Sequence, residues 1–180
     1  PYFLRCFKEI LVAVGINNPI LNFFAFKTKR EIVDLVKDTA AFTRGFAETI
    51  SCSHPCVSRW NKSGVREYPI NCGYCYPCLI RKSSLLDVNI SDERYSYESI
   101  SLDFLHQFSE SDKVNDLFAV ISSIYRYKNM DDNEIMRLIK CTGQLSDNDV
   151  ENFVRVYKKT MDDLIELFST DFQMKEYIGL

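Results

Sequence analysis

Glycine is scarce in this chain, which limits how it could bind a nucleotide. Only six of its 180 residues are glycine, and no two of them are adjacent. Loops that hold phosphate groups through successive backbone N–H groups at a helix N-terminus are rich in glycine. We therefore expect no phosphate-binding loop within these 180 residues.

Long hydrophobic runs are missing as well. Apolar runs such as residues 10–14 and 23–26 fall far short of the about 20 apolar residues that a transmembrane helix requires. No basic segment followed by an apolar segment and a small-residue cleavage site opens the chain, which argues against secretion. We expect a cytoplasmic protein with no membrane partner.

Charge is unevenly distributed along the sequence. The net charge is −3, but residues 49–83 carry five basic and one acidic residue, whereas residues 84–180 carry ten basic and 19 acidic residues. An acidic half of this kind repels a phosphate backbone, so we do not expect nucleic acid as a partner. We expect instead a protein partner or a homo-oligomer.

Apolar side chains recur every three or four residues in much of the chain, which predicts amphipathic helices. The segments with this pattern are residues 2–14, 28–37, 40–48, 114–125, 135–139 and 150–168. Thr28 and Glu31 have the spacing of a capping box, and Ser146 is placed to cap the last helix. The short aromatic run at residues 20–26 predicts a β-strand. The predicted fold class is mainly α.

Residues 50–80 interrupt this helical pattern. They contain three prolines and two glycines without any periodicity: Pro55, Gly64, Pro69, Gly73 and Pro77. We predict a loop region that needs support from outside its own backbone. It belongs to a first domain of residues 1–91, followed by an acidic helical lobe of residues 92–180.

Five of the seven cysteines lie in that loop region, and three have the spacing of a metal site. Cys72, Cys75 and Cys78 form two overlapping Cys-x-x-Cys pairs. Such a turn points both sulfur atoms to one side, where a tetrahedral Zn²⁺ binds thiolates at about 2.3 Å. Nearby basic side chains would stabilise the thiolates. We predict a zinc ion bound by four thiolates.

The fourth ligand can come from three residues. Cys52 is the first choice, with Cys56 and His54 as alternatives. An iron–sulfur cluster is a rival interpretation, although no cysteine followed by proline comes three residues after the triplet. Disulfides would need an oxidising compartment, of which there is no sign. Cys6 and Cys141 lie in predicted helices, and we expect them in the core.

The predicted zinc ion is structural rather than catalytic. Four thiolates complete the coordination sphere and leave no position for a reactive water. Neither His-x-Glu nor His-Glu-x-x-His occurs near the cysteines, so a general base is missing. We expect the ion to hold residues 50–80 together.

The residues around the cysteines resemble a known family. The strings are Ser51-Cys52-Ser53-His54-Pro55, Arg59-Trp60 and Asn71-Cys72-Gly73-Tyr74-Cys75-Tyr76-Pro77-Cys78-Leu79-Ile80-Arg81-Lys82. They are similar to the zinc-binding C-terminal part of the 7-cyano-7-deazaguanine synthase family, and more closely to the synthase-like proteins of the four-component Qat anti-phage defence systems. Residues 26–33 resemble the start of a family helix. The resemblance covers roughly residues 1–90.

This resemblance implies part of an ATP-dependent ligase. The family has an α/β adenine-nucleotide-hydrolase-like fold of the PP-loop ATPase type, uses ATP and Mg²⁺, and adenylates 7-carboxy-7-deazaguanine before passing it to a nitrogen nucleophile. Its phosphate-binding string, Ser-Gly-Gly-x-Asp-Ser, does not occur here. We therefore expect the C-terminal portion of such a protein, without its N-terminal nucleotide-binding sheet, inactive alone and acting in anti-phage defence.

The resemblance also implies site residues but no catalytic residue. It assigns zinc to Cys52, Cys72, Cys75 and Cys78. The expected substrate contacts are Lys29, Arg59, Trp60 and Arg81, of which Arg59 and Trp60 would bind a flat purine-like ring. The alternative is a zinc-ribbon module without catalysis, whose cationic loop binds nucleic acid or a protein.

Overall fold

The chain is helical through most of its described length. The computed structural model describes residues 2–17, 21–54, 71–88, 95–97, 100–110 and 114–180. These ranges contain nine α-helices and one 3₁₀ helix: α1 (Tyr2–Ala13), α2 (Lys29–Val36), α3 (Ala40–Gly45), the 3₁₀ helix (Phe46–Glu48), α4 (Tyr76–Ser84), α5 (Leu102–Gln107), α6 (Asn115–Lys128), α7 (Asp132–Lys140), α8 (Asp147–Ser169) and α9 (Phe172–Ile178). Within them, β pairing is limited to one isolated bridge between Asn71 and Tyr95. None of these helices has both the length and the apolar content needed to cross a bilayer.

The predicted helix starts are confirmed. Thr28 Oγ1 accepts from the Glu31 N–H at 3.1 Å, and the Glu31 carboxylate accepts from the Thr28 N–H at 2.8 Å, which completes the capping box of α2. Ser146 Oγ accepts from the Asp149 N–H at 3.1 Å and begins α8. The helix predicted at residues 40–48 divides into α3 and the 3₁₀ helix. Local side-chain hydrogen bonds thus set where these helices begin.

The β-strand predicted at residues 20–26 is wrong over its described part, residues 21–26. Residues 23–26 form turns, in which the Ala25 N–H donates to the Asn22 carbonyl at 3.3 Å and the Lys27 N–H to the Phe24 carbonyl at 3.1 Å. A strand needs a neighbouring strand to bond its backbone, and the described residues offer none. The aromatic side chains instead serve packing, as Phe26 does against Phe153 with ring centroids 5.1 Å apart.

One buried core joins residues from both sides of position 91. It combines Cys72, Cys75, Cys78 and Leu79 with apolar side chains of α5, α6, α8 and α9. In addition, the Asp116 carboxylate of α6 accepts from the Tyr76 N–H at 3.1 Å and thereby caps α4. The division into residues 1–91 and 92–180 stays a prediction, and in this structure both ranges share the core.

Two cysteines outside the cluster lie nearer the surface than expected. Cys141 is exposed, so its predicted place in the core is wrong. It caps the C-terminal end of α7, one residue beyond the last turn that packs on α8. Cys6 is half-buried on α1, whose apolar side chains are largely exposed. Helical periodicity identified the apolar face of α1 but not whether another element covers it.

Candidate metal centre

A tight turn and the N-terminus of α4 bring three cysteines together. Cys72 and Cys75 flank Gly73-Tyr74, Cys75 is the N-cap of α4, and Cys78 follows in its first turn. Pro77 also lies in that first turn, where a missing N–H is tolerated. Gly73 adopts φ of 91°. A Cβ at this position would collide with the Tyr97 carbonyl oxygen, so the turn requires glycine.

The sulfur atoms of Cys52, Cys72, Cys75 and Cys78 converge on one point. All four lie within 4.8 Å of one another. The Sγ–Sγ distance is 3.9 Å between Cys72 and Cys78 and also between Cys52 and Cys75. Tetrahedral coordination with Zn–S bonds of about 2.3 Å separates sulfur ligands by about 3.8 Å. The four residues therefore fit a single tetrahedral metal ion, consistent with structural zinc.

Backbone N–H groups point at these sulfur atoms. The N–H groups of Cys72 and His54 donate to Cys52 Sγ at 3.2 and 3.1 Å. The Cys75 N–H donates to Cys72 Sγ at 3.4 Å, and the Ser53 N–H to Cys75 Sγ at 3.5 Å. Hydrogen bonds of this kind stabilise a thiolate over a thiol. The backbone is thus arranged to support the charged form that a metal requires.

Burial and mutual contact shape the ionisation of the cluster. Cys72, Cys75 and Cys78 are fully buried, and Cys52 is half-buried. Hydrogen bonding with the Cys72 thiol, then with Cys78, holds the pKa of Cys75 well below its ordinary value. The hydrogen bond with Cys75 raises the pKa of Cys72. A divalent cation would displace the remaining protons, because thiolates are the ligands.

Asn71, which the sequence analysis gave no role of its own, braces the cluster. Asn71 is 5% exposed, and its side-chain oxygen accepts from the Ser51 N–H at 3.4 Å, which connects the segment of Cys52 to that of Cys72. The Asn71 carbonyl accepts from the Ser96 N–H at 2.8 Å. The only clue to Asn71 in the sequence was its position directly before the turn of Cys72 and Cys75. An asparagine at that position does not by itself predict a contact with Ser51 or Ser96.

His54 and Lys82 take positions beside the cluster. The His54 ring stacks on Tyr74 with centroids 6.1 Å apart, and among the described residues it is not part of the metal-ligand group. Lys82, one of the basic residues close to the cysteines in sequence, donates to the Tyr97 carbonyl at 3.1 Å and lies 4.5 Å from the centre of the Tyr95 ring. Cys56, the other alternative ligand, lies outside the described residues.

A cavity of about 870 Å³ lies beside the metal centre. Helices α2, α3, α4 and α8 contribute to its walls, which are mostly apolar. α4 leads directly from Cys75 and Cys78 into the cavity wall, where it contributes Ile80 and Arg81. An ion bound to the cysteines would therefore fix the orientation of that wall.

Two of the predicted substrate contacts line this cavity. Lys29 lies at the start of α2, with its side chain exposed. The Arg81 guanidinium donates to Thr49 Oγ1 at 2.8 Å and to the Phe46 carbonyl at 3.0 Å, which joins α4 to the 3₁₀ helix. The other two, Arg59 and Trp60, lie outside the described residues. The substrate role of all four stays a prediction.

α8 adds a charged residue to the cavity that the sequence pattern did not single out. Asp163 is 8% exposed and accepts from Arg30 Nη1 at 3.4 Å. Burial raises the pKa of Asp163. Arg30 also contacts Glu166 and Asp87, and the hydrogen bond to Glu166 is the main reason that its pKa is raised. The sequence offered one clue to this burial, because Asp163 directly precedes Leu164 of the apolar stripe. The clue did not point to the cavity, because α8 was assigned to a separate lobe.

Comparison with known proteins adds no relative to this description. No protein-family model matches the chain, and no curated protein or solved structure matches it. The resemblance stated above therefore rests on the quoted motifs alone.

Proposed function

We propose that the chain is the zinc-stabilised C-terminal part of an ATP-dependent ligase that activates a deazapurine carboxylate. The observation that carries this proposal is the continuity of the metal centre with the cavity through α4. A structural ion bound to Cys52, Cys72, Cys75 and Cys78 would cross-link segments 20 residues apart in sequence. The same ion would hold the cavity wall that contains Ile80 and Arg81.

The size and lining of the cavity suit a flat, anionic heterocycle as its ligand. Its volume of about 870 Å³ falls in the usual range of small-molecule sites, which are mostly apolar with a few placed polar groups. Ile32, Val33 and Ile80 give apolar surface for a ring, while Lys29 and Arg81 bring positive charge suited to a carboxylate. Activation of that carboxylate would require attack of its oxygen on the α-phosphorus of ATP, with pyrophosphate leaving, before a nitrogen nucleophile displaces AMP.

Metal analysis tests the first part of the proposal. The purified chain should contain close to one zinc per molecule and show no iron–sulfur absorbance. Cys78→Ser should lose the zinc, because three remaining thiolates bind far more weakly. Cys141→Ser is the matched control, because its thiol is exposed and outside the cluster, and it should retain full zinc content.

Calorimetric titration with 7-carboxy-7-deazaguanine tests the second part. The zinc-loaded chain should bind it, and Lys29→Ala should weaken binding severalfold by removing one favourable charge. Lys175→Ala removes an exposed lysine of α9, outside the residues that line the cavity, and should change nothing. No binding of the heterocycle, together with tight and salt-sensitive binding of labelled RNA or DNA, would favour the zinc-ribbon module instead.

A further inference from the structure

The apolar side of α1 is largely open to solvent. Five side chains on it, those of Phe3, Leu4, Phe7, Ile10 and Val14, are 40% to 73% exposed. Successive residues of a helix are rotated by about 100°, so these five share an arc of about 120° along one side, which we call the α1 stripe. The Val14 N–H donates to the Ile10 carbonyl at 3.1 Å, which keeps Val14 in helical register. Within the described residues, no other helix packs extensively along α1.

A helix as short as α1 needs packing against another element. It has 12 residues, and an isolated helix of that length is only marginally stable in water unless its apolar face is buried. A polar contact connects α1 to the segment between α7 and α8, where Arg5 Nη2 donates to Gln144 Oε1 at 3.4 Å. That contact leaves the α1 stripe uncovered. A partner that covers the stripe would therefore stabilise α1 itself.

The order of residues along the α1 stripe is self-complementary. The spacings from Phe3 through Phe7 and Ile10 to Val14 are four, three and four residues, which read the same in both directions and are typical of two helices packed side by side. The aromatic residues lie in the N-terminal half, where the rings of Phe3 and Phe7 stack with centroids 6.0 Å apart, and the β-branched residues lie in the C-terminal half. An antiparallel second copy would place Phe3 against Val14 and Phe7 against Ile10, so that each layer joins a large side chain to a smaller one. A parallel copy would crowd the aromatic rings at one end and leave the other end thin.

The area of the α1 stripe matches a small dimer interface. A fully exposed phenylalanine presents about 200 Å² and an aliphatic residue somewhat less, so at these exposures the stripe presents roughly 500 Å² per copy. Two copies would together bury about 1,000 Å², which is at the lower end of specific protein interfaces. The charged side chains of α1, those of Arg5, Lys8 and Glu9, lie outside the arc. Pairing through the stripe would leave them in contact with water.

We propose that the α1 stripe binds a second copy of this chain, as an antiparallel pair of helices about a two-fold axis. Both copies contribute the same residues to such an interface. No residue of α1 lines the cavity beside the metal centre, so the dimer would form whether or not the cavity binds the proposed ligand. An interface of this size is expected to dissociate with a Kd in the micromolar range.

Sedimentation equilibrium of the zinc-loaded full chain tests the dimer. Between roughly 1 and 200 µM, a range that brackets the expected affinity, the data should fit a monomer–dimer equilibrium. Phe7→Ser should raise the Kd at least tenfold, because it removes an aromatic side chain from the centre of the interface. Val12→Ser is the matched control, since Val12 is 63% exposed on the opposite side of α1, and it should keep the wild-type Kd. Zinc content and circular dichroism verify that each variant is folded.

Disulfide cross-linking tests the antiparallel order. In a background with Cys6→Ser and Cys141→Ser, a mixture of Phe3→Cys and Val14→Cys proteins should form a disulfide between copies on mild oxidation, identified by mass spectrometry of the linked peptides. Phe3→Cys protein alone should give little of this product, because antiparallel packing places residue 3 of the two copies about 16 Å apart along the helix axis. Efficient linkage of Phe3→Cys to itself would contradict the antiparallel arrangement.

Two further results would overturn the dimer. One is a wild-type chain that stays monomeric over the whole concentration range, and the other is an equal loss of association in Phe7→Ser and Val12→Ser. A monomeric chain that sediments with phosphatidylcholine vesicles, and loses this property in Phe7→Ser, would assign the α1 stripe to a lipid surface instead.

Discussion

At Gly73 the backbone turns with φ of 91°, and the Cβ of any other residue would lie 2.3 Å from the Tyr97 carbonyl oxygen, which is too close. The same Cβ would lie 3.2 Å from Lys82 Nζ, which donates to that carbonyl. Gly73 therefore serves two needs at once. It allows the turn that directs Cys72 and Cys75 to one side, and it allows residues 95–97 to pack directly on the turn.

Gly73→Ala should lower the free energy of unfolding by about 1–3 kcal/mol and weaken zinc binding, because both the conformation and the contact are disturbed. Urea unfolding of the zinc-loaded chain measures the first effect, and competition with a chromophoric chelator measures the second. Gly15→Ala is the control, since Gly15 also has positive φ, of 79°, but nothing lies within 4 Å of its Cβ position. Equal losses in both variants would show that the collision with Tyr97 is unimportant.

At the level of elements, Glu31 joins α2 to α8. Its carboxylate closes the capping box of α2 and also accepts from Arg155 Nη1 at 2.7 Å, with Lys159 Nζ at 3.7 Å. The hydrogen bond from Arg155 is the main reason that the pKa of Glu31 falls to about 2 from its ordinary 4.5. A local capping residue thus also connects two helices that lie more than a hundred residues apart.

Glu31→Gln should reduce the free energy of unfolding at neutral pH by about 0.5–1 kcal/mol, since its basic partners are half exposed and solvent screens the pair. The folded-state pKa is depressed, so this stabilisation is complete above about pH 4.5 and is lost as the pH falls towards 2. Unfolding curves of wild type and variant should therefore converge on acidification.

Glu48→Gln provides the comparison for that experiment. Glu48 is exposed at the end of the 3₁₀ helix, and no salt bridge joins it to another described residue. Its substitution should have little effect at any pH between 2 and 7. A difference between wild type and Glu31→Gln that grows on acidification would contradict the assigned ion pair.

For the whole molecule, the candidate metal centre and the helices of residues 92–180 share one core. Cys72, Cys75 and Cys78 belong to the same buried cluster as Leu117, Leu164 and Phe168. The Asp116 cap on α4 adds a polar connection between the two parts. Loss of the ion would therefore leave three unbound thiol groups within the core that stabilises α6 and α8, with that of Cys52 beside it.

Removal of the metal should destabilise the whole chain rather than residues 50–80 alone. Chelation is expected to lower Tm by at least several degrees, with loss of helical signal at 222 nm in one transition, because binding free energy is also folding free energy. Cys78→Ser, already without zinc, should not respond further to the chelator. An unchanged Tm after complete zinc removal would show that the core is stable without the ion.

Several features could be predicted because they depend on residues close in sequence. The Thr28–Glu31 capping box, the Ser146 cap and the Cys72–Cys78 turn involve groups at most six residues apart, whose geometry the backbone conformation largely sets. The prediction of a strand at residues 20–26 was wrong over the described residues, because a strand depends on a partner strand elsewhere in the fold. The prediction that Cys141 lies in the core was wrong, because a helical pattern does not show which face of a helix another element covers.

The amino-acid sequence by itself determined the helical character of the chain and the three-cysteine turn, whose spacing suits a metal site. Only the tertiary structure decided that Cys52, 20 residues before Cys72, completes the sulfur cluster, and that α8 brings Asp163 to the cavity beside Arg30. The physical reason is how far apart in sequence the interacting residues lie. Hydrogen bonds within a turn follow from neighbouring residue types, whereas contacts between distant segments depend on how the helices pack around one shared core.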